Sequence, residues 1–170
     1  YGATFHLTDP LEGADGAIQK ARELAASDPD KYYYSDQYSN PSNWQAHFHG
    51  TAPEIYHQLD GEITHFLAGI GTSGTFVGTS RGLKKLDPRI QVVSFIPSDP
   101  LHGLEGLKHL PTAMVPAIYD PDIADTELTA ETEEAYEMAR RLALEEGLFV
   151  GPSSAAAVVA SIQLAQEIST

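Results

Sequence analysis

The chain has 170 residues, of which 42% are hydrophobic and 9% aromatic, as is typical of a soluble globular protein with a sizeable core. Asp and Glu number 24 against 10 Lys and Arg, and the resulting net charge of −14 disfavours nucleic acid and anionic membrane surfaces as partners. The absence of cysteine excludes disulfides, thiolate nucleophiles and cysteine-based zinc sites, and it fits a cytoplasmic location.

The start of the chain does not resemble a signal peptide. The start, YGATFHLTDP, lacks the positive charge and apolar core of a signal peptide, and it does not begin with Met. No apolar run reaches the roughly 18 residues that span a bilayer. We therefore expect a chain cut from a longer protein, without a membrane partner.

Strands and helices alternate along the predicted chain. Short apolar, β-branched or aromatic runs predict strands at residues 3–8, 31–39, 63–69, 90–96 and 148–150. Periodic apolar positions and capping residues predict helices at residues 16–27, from about 40 to 59, after the glycine loop at 69–75, at 129–147, and after Gly151. Such alternation predicts an α/β fold, a doubly wound and mostly parallel sheet with helices on both faces, as one unit over residues 1–170.

Two finer expectations concern the later part of the chain. Thr129 and Thr132 are both candidate caps of the amphipathic helix at 129–147, which Gly147 is expected to end. Residues 97–125 are rich in Pro, Gly and Asp, so we expect a long functional loop there.

The stretch THFLAGIGTSGTFVGTSRGLKKL, residues 64–86, combines a buried strand, a tight loop and a helix. Its loop supplies three hydroxyls beside the backbone N–H groups of a helix N-terminus, an arrangement that suits a compact phosphate dianion. The candidate ligand-binding residues are Gly71, Thr72, Ser73, Gly74 and Thr75. A glycine turn that only packs the helix on the sheet is the structural alternative.

The same glycines also satisfy the dinucleotide pattern GxGxxG, with Gly69 as its first member. That motif normally has small non-donating residues in the loop and an acidic residue at the end of the next strand. Here the loop is rich in hydroxyls, and Asp99 follows the next strand only after a proline. A monophosphate is therefore favoured over NAD.

Two further turns place polar side chains where a parallel sheet binds ligands. Gln37 and Asn40 come at the end of a predicted strand, although an ordinary strand-to-helix turn explains them equally well. Ser153 and Ser154 follow Gly151 at another such turn, where a helix N-cap is the simplest role.

The histidines and serines do not form familiar catalytic patterns. His47 and His49 are two residues apart, which separates them on a helix, and His102 and His109 lie in the predicted loop without matching carboxylates. HExxH and GxSxG motifs are both absent from the sequence, so a metal site and a serine hydrolase are disfavoured.

Three motifs in order resemble one family. QYSNPSNWQAHFHGTAPEI, HFLAGIGTSGTFVGTSRGLK and EEGLFVGPSSAAAV are similar to the cysteine synthases among the fold-type II pyridoxal-phosphate enzymes, which share the fold of tryptophan synthase β. The stretches EITHFLAGIGTSGTFVGTSR and GLKHLPTAMVPAIYDPDIAD most resemble the cysteine synthase B branch, and cystathionine β-synthases are also similar. The resemblance runs through nearly the whole chain.

The resemblance implies a function and a cofactor. The hydroxyl-rich loop would bind the phosphate of pyridoxal 5′-phosphate, and Gln37 would lie near the carboxylate of the amino-acid substrate. The reaction would be a β-replacement, in which sulfide or another sulfur donor displaces the leaving group of an activated serine such as O-acetylserine to give L-cysteine. The parent enzyme would be a cytoplasmic homodimer.

The chain also departs from the family pattern. The Schiff-base lysine of the family lies upstream of the part resembled here, and none of the chain's five lysines has its motif: Lys20, Lys31, Lys84, Lys85 and Lys108. The TSGN loop and the final serine-containing segment are missing as well. Members that use O-phosphoserine carry an arginine where Ser98 stands, which argues against that substrate.

These departures lead to the interpretation that residues 1–170 correspond to the larger C-terminal part of a two-domain enzyme. The lysine-bearing N-terminal part and the final segment would be absent, so no catalytic residue is assigned and the isolated chain is expected to be inactive. A non-catalytic module that binds a phosphorylated ligand or a partner enzyme is the alternative.

Overall fold

The structure, a computed structural model, describes residues 2–168, which form two compact units. The first unit ends at Asp36 and contains a 3-10 turn, Pro10–Glu12, and helix α1, Gly13–Ser27. The turn begins where the Asp9 carboxylate accepts the N–H of Leu11 at 2.9 Å. Helix α1 confirms the predicted helix and starts three residues earlier than expected. The strands predicted at residues 3–8 and 31–39 are wrong, because both stretches are irregular.

The second unit begins at Gln37 and contains the sheet. Its helices are α2 (Ser42–Ala46), a π-helical turn (His47–Thr51), α3 (Ala52–Gln58), α4 (Gly74–Leu86), α5 (Thr132–Glu145) and α6 (Pro152–Ile168). Its strands are β1 (His65–Gly69), β2 (Gln91–Pro97) and β3 (Thr126–Ala130). No helix in the described part is long and apolar enough to cross a membrane.

The three strands form one parallel sheet in the order β1-β2-β3. The register pairs Leu67 with Val93 and Phe95 with Leu128. β1 and β2 confirm the strands predicted from near-continuous apolar runs, which are typical of strands covered on both faces. The parallel α/β sheet that the sequence predicts is therefore present.

Helices cover both faces of this sheet. Successive residues of β2 point to opposite sides, so they pack in two different apolar clusters. Val93 and Phe95 pack in one buried cluster with Ala156 and Ala160 of α6. Val92 packs in the other cluster with α4. These two apolar layers confirm the helix–sheet–helix arrangement expected of a doubly wound fold.

Strand β3 was not predicted from the sequence, and the strand predicted at residues 148–150 is not formed. β3 alternates buried Leu128 and Ala130 with exposed Glu127 and Thr129, so the stretch TELTA carries too little apolar signal to stand out. The predicted long loop at residues 97–125 is confirmed, since no helix and no strand lies between Pro97 and Thr126.

The ends of α5 differ in how well they were predicted. The N-cap position is Glu131, whose side chain makes no capping bond, so Thr129 and Thr132 are not the caps. Gly147 does end the helix: its φ is +70°, a left-handed conformation that glycine adopts without a Cβ clash.

Helix α4 presents a line of glycines to the chain that runs from α2 to α3. A Cβ on Gly78 would lie 2.8 Å from the His47 Cβ and would overlap the Trp44 carbonyl, and a Cβ on Gly82 would overlap Ala52. Spacing of four residues places these glycines on one helix face. The absence of side chains there lets two helical segments approach closely enough to build a site between them.

Asp125 joins the starts of β2 and β3. Its Oδ2 accepts the Val92 N–H at 2.8 Å and pairs with Lys84 Nζ at 2.7 Å. Burial alone would raise the pKa of this carboxyl, but the hydrogen bonds and charge of Lys84 and Val92 outweigh it, so its pKa lies below the ordinary value of 3.8.

We expect Gly78→Ala to lower the free energy of unfolding by about 1–3 kcal/mol, since the added methyl has no space against Trp44 and His47. Urea denaturation measures the change. Gly50→Ala is the matched control, because a Cβ there meets no atom within 4 Å. Equal stability of the two variants would contradict the close-packing argument.

Because the pKa of Asp125 is depressed in the folded state, its stabilising effect is present above about pH 4 and is lost as the pH falls through the folded value. Asp125→Asn should therefore make the free energy of unfolding less dependent on pH between 5 and 2. Denaturation at several pH values checks this, with the exposed Asp122→Asn as control. An unchanged acid slope in Asp125→Asn would refute the assignment.

Candidate functional site

The loop that the sequence singles out follows β1 at the carboxyl edge of the parallel sheet, where α/β sheets bind ligands. Two backbone bonds fix its entrance. Ile70 donates its N–H to the Phe95 carbonyl at 3.0 Å, and its own carbonyl accepts the N–H of Lys108 at 2.8 Å. The loop is therefore tied both to the sheet and to the segment that contains Lys108.

Gly71 and Gly74 are glycines for steric reasons. A Cβ on Gly71 would overlap the carbonyl oxygen of Gly106, and a Cβ on Gly74 would overlap the Asn43 side chain. Backbone and side-chain atoms from two other segments thus lie directly on this loop. We define residues 71–75 as the hydroxyl loop.

Ser73 is the most unusual residue of the hydroxyl loop. Its φ of +70° is left-handed, a conformation that costs a non-glycine residue on the order of 1–3 kcal/mol. The residue is only 2% exposed, and its Oγ is buried without a hydrogen-bond partner among the described residues. Helix α4 starts immediately after it, with the first bond from the Val77 N–H to the Ser73 carbonyl at 2.8 Å. A buried hydroxyl with no partner, beside a helix N-terminus, can donate a hydrogen bond to a bound anion.

The other two hydroxyls of the loop are held from the α2 side. Thr72 Oγ1 lies 3.0 Å from Asn43 Nδ2 and 3.3 Å from the Gly74 nitrogen. Thr75 Oγ1 lies 3.2 Å from His47 Nε2, and His47 Nδ1 lies 2.9 Å from Thr51 Oγ1. The π-helical turn places His47 within reach of the loop, in keeping with the frequent occurrence of such turns at functional sites.

Gln37 and Asn40 do not follow a strand, contrary to the expectation. Gln37 lies in an exposed turn, and its main-chain carbonyl accepts a hydrogen bond from Asn43 Nδ2 at 2.7 Å. Asn40 Oδ1 accepts the Ser42 N–H at 3.0 Å, which confirms the predicted turn that starts a helix. Asn43 thus connects the Gln37 turn with the hydroxyl loop, and a substrate role for Gln37 stays a prediction.

Ser153 and Ser154 lie inside the first turn of α6, which begins at Pro152, so neither is an N-cap. The Ser154 N–H donates to the Gly151 carbonyl at 3.0 Å. Ser153 lies close to Gly106, the residue whose carbonyl covers Gly71. A ligand role for either serine stays a prediction.

The lysines of the second unit contact the following groups. Lys84 is paired with Asp125, and Lys85 Nζ lies 5.4 Å from the centroid of the Phe48 ring. Lys108 is buried, with its Nζ 5.3 Å from the centroid of the Tyr38 ring.

Of the remaining histidines singled out by sequence, His102 has a structural role. Its Nδ1 accepts the Leu104 N–H at 3.2 Å, and burial, followed by the nearby His109, lowers the pKa of its imidazole. No three His, Asp or Glu side chains within residues 2–168 are placed to hold a metal ion.

Asn43 and His47 were not predicted from the sequence to contact the loop. Their contacts with Thr72 and Thr75 span 29 and 28 positions of the chain. The available signal was the second Asn of NPSN, whose side chain is not needed for the turn that the first Asn forms.

The whole chain is similar to one family of known proteins. The model of the family "Pyridoxal-phosphate dependent enzyme" matches residues 1–170.

The chain belongs to this family of pyridoxal-phosphate dependent enzymes. It is 54% identical to a cysteine synthase of Aquifex aeolicus over 99% of the chain and 51% of that protein. It is 39% identical to cysteine synthase B of Pseudomonas aeruginosa, over 99% of the chain and 55% of that protein.

A solved structure has the same fold. The O-acetylserine dependent cystathionine β-synthase of Helicobacter pylori superposes with a TM-score of 0.87 at 39% identity, over 98% of this chain and 56% of that one. The chain thus spans about half the length of the curated relatives it matches.

The hydroxyl loop fits the cofactor of this pyridoxal-phosphate family. A phosphate monoester is rich in acceptor oxygens, and the buried Ser73 Oγ provides an unpartnered hydroxyl beside the start of α4. The cofactor of the family, pyridoxal phosphate, agrees with the preference for a monophosphate over NAD at the GxGxxG pattern.

We expect Ser73→Ala to separate binding from stability. Loss of a buried, unpartnered hydroxyl should leave the free energy of unfolding unchanged or raise it by about 1 kcal/mol, whereas phosphate affinity should fall about tenfold. Thermal unfolding with increasing inorganic phosphate measures both quantities.

Ser80→Ala is the matched control for Ser73→Ala, because Ser80, inside α4, is also a buried serine whose Oγ has no partner among the described residues. It should retain the phosphate-dependent stabilisation. The same loss of phosphate binding in both variants would argue against a specific role for Ser73.

Proposed function

We propose that this chain provides the phosphate-binding part of a pyridoxal-phosphate dependent enzyme that forms L-cysteine by β-replacement. The substrates would be an activated serine, such as O-acetylserine, and sulfide or another sulfur donor. The observation that carries the proposal is the hydroxyl loop with its buried, unpartnered Ser73 Oγ. Further support comes from the names of the relatives, cysteine synthase and cysteine synthase B, at 54% and 39% identity.

The proposed roles follow from the position of each group. Gly71 and Gly74 allow close approach to the backbone, while the hydroxyls of Thr72, Ser73 and Thr75 and the start of α4 would hold the phosphate. When bound, the cofactor supplies an electron sink for substitution at the β-carbon.

Gln37 would contact the carboxylate of the amino-acid substrate. Support for this role is that Asn43 links the Gln37 turn to Thr72, so both groups belong to one connected part of the second unit.

A second candidate is synthesis of cystathionine from an activated serine, with a thiol amino acid as the sulfur donor. The observation that favours it is the similarity to the O-acetylserine dependent cystathionine β-synthase of Helicobacter pylori, at 39% identity and a TM-score of 0.87. The two candidates share the phosphate site and the activated serine, and they differ in the sulfur donor. Competition between sulfide and homocysteine in the parent enzyme distinguishes them.

We expect the 170-residue chain alone to lack β-replacement activity, because none of its lysines stands in the Schiff-base motif of the family. Lys84 supports this expectation, since it is held by Asp125 and by the Ile90 carbonyl at 3.1 Å. The proposed parent enzyme is a cytoplasmic homodimer, on the resemblance alone. If the chain is instead a non-catalytic module, it should bind the phosphorylated ligand as a stable monomer.

Titration of the purified chain should show saturable binding of pyridoxal 5′-phosphate and much weaker binding of pyridoxal, because only the former carries the phosphate. NAD serves as the competing ligand. Borohydride reduction followed by intact-mass measurement should show no stoichiometric lysine adduct above the level found with pyridoxal.

Equal affinity for pyridoxal and its phosphate would overturn the role of the hydroxyl loop. A single stoichiometric adduct on one lysine would show that this chain carries its own attachment site. Cysteine formation by the purified chain would refute the expected inactivity.

A further inference from the structure

Asn43 lies at the first turn of α2, and one side-chain nitrogen serves two segments. Nδ2 is 2.7 Å from the Gln37 carbonyl oxygen and 3.0 Å from Thr72 Oγ1. Asn43 also lies against Gly74: a Cβ added to Gly74 would lie 2.8 Å from this nitrogen. The side chain is therefore held between the Gln37 turn and the hydroxyl loop.

The direction of these hydrogen bonds follows from the partners. A main-chain carbonyl only accepts, so the atom of Asn43 that faces Gln37 must be the NH₂ group. The same NH₂ group faces Thr72, so its second N–H donates to Thr72 Oγ1. The Gln37 carbonyl thus fixes the orientation of the amide.

The orientation of the Asn43 amide determines which hydrogen bonds the Thr72 hydroxyl can make. Its oxygen accepts from Asn43 Nδ2 at 3.0 Å and from the Gly74 N–H at 3.3 Å, which uses both of its acceptor positions. The hydroxyl hydrogen then points away from both donors. Thr72 is left with one free function, which is to donate a hydrogen bond.

We infer that Asn43 is a positioning residue that makes Thr72 a donor toward the anionic group of the ligand and holds the Gln37 turn beside it. This inference rests on the proposed function, since it takes the phosphate of pyridoxal 5′-phosphate as that anion. A donor-only hydroxyl favours an acceptor-only dianion and disfavours a ligand group that itself donates.

Asn43→Asp tests the inference with almost no change in shape. A carboxylate repels the Gln37 carbonyl and accepts the Thr72 hydrogen, so the Thr72 hydroxyl turns its lone pairs to the ligand. Affinity for pyridoxal 5′-phosphate and for inorganic phosphate should fall roughly tenfold to a hundredfold. The ³¹P chemical shift of the bound phosphate should also change.

Gln45→Glu is the matched control, because it makes the same amide-to-carboxylate change at an exposed position of the same helix. It should keep the affinity within about twofold of wild type and the same ³¹P shift. If Asn43→Asp behaves like Gln45→Glu in both measurements, the inference is wrong.

A double-mutant cycle of Asn43→Ala and Thr72→Val tests whether Asn43 acts through Thr72 without introducing a charge. The cycle also replaces the first test if Asn43→Asp does not fold. Asn43→Ala should weaken binding in the wild-type background and have little further effect once the Thr72 hydroxyl is gone. Additive losses would mean that Asn43 does not act through Thr72, which overturns the inference.

The two ligands separate this inference from the proposed function. A wild-type chain that binds inorganic phosphate but not pyridoxal 5′-phosphate would overturn the proposed cofactor, while the cycle measured with phosphate still decides the role of Asn43. Normal binding of both ligands by Asn43→Ala and Asn43→Asp would overturn only the inference. Binding of neither ligand by wild type would overturn both.

Discussion

The close contact between α4 and the segment from α2 to α3 is the constraint on which the site depends. Gly74, Gly78 and Gly82 leave no side chains on that face of α4, so atoms of Asn43, Trp44 and Ala52 reach the helix surface. The first of these contacts brings Asn43 to Thr72, and the neighbouring π-helical turn brings His47 to Thr75. The packing that stabilises the unit is thus also the packing that orients the loop hydroxyls.

The conformation of the hydroxyl loop at Ser73 costs stability, and contacts with the rest of the second unit hold it in place. Ser73 combines a left-handed backbone with a buried hydroxyl that has no partner among the described residues, and each feature costs stability. The loop is nevertheless held by bonds from Ile70 to Phe95 and from Lys108 to Ile70, and by the buried apolar layers beneath it. An anion that accepts from Ser73 and from the start of α4 would offset this cost, so ligand binding and stability are coupled at this residue.

Local sequence signals predicted the elements whose burial is strong and continuous. β1 and β2 were found because both faces of each strand are covered, whereas β3 buries only Leu128 and Ala130 and gave no such run. Residues 31–39 show the opposite error, because their aromatic residues suggest a strand although no strand of the described sheet pairs with them. The loop itself was visible in GTSGT. The partners Asn43 and His47 were not, because they depend on helix packing across almost thirty positions.

The charge of the molecule and the chemistry of the loop point in opposite directions. A net charge of −14 repels an anionic ligand, yet salt at physiological ionic strength largely screens this repulsion beyond about 8 Å. Within the loop, the groups that would donate to a bound anion are the start of α4, the Ser73 hydroxyl and a Thr72 hydroxyl whose acceptor positions are taken by Asn43 and Gly74. Recognition of an anion by this chain would therefore depend on the direction of a few hydrogen bonds, since the net charge of the molecule opposes it.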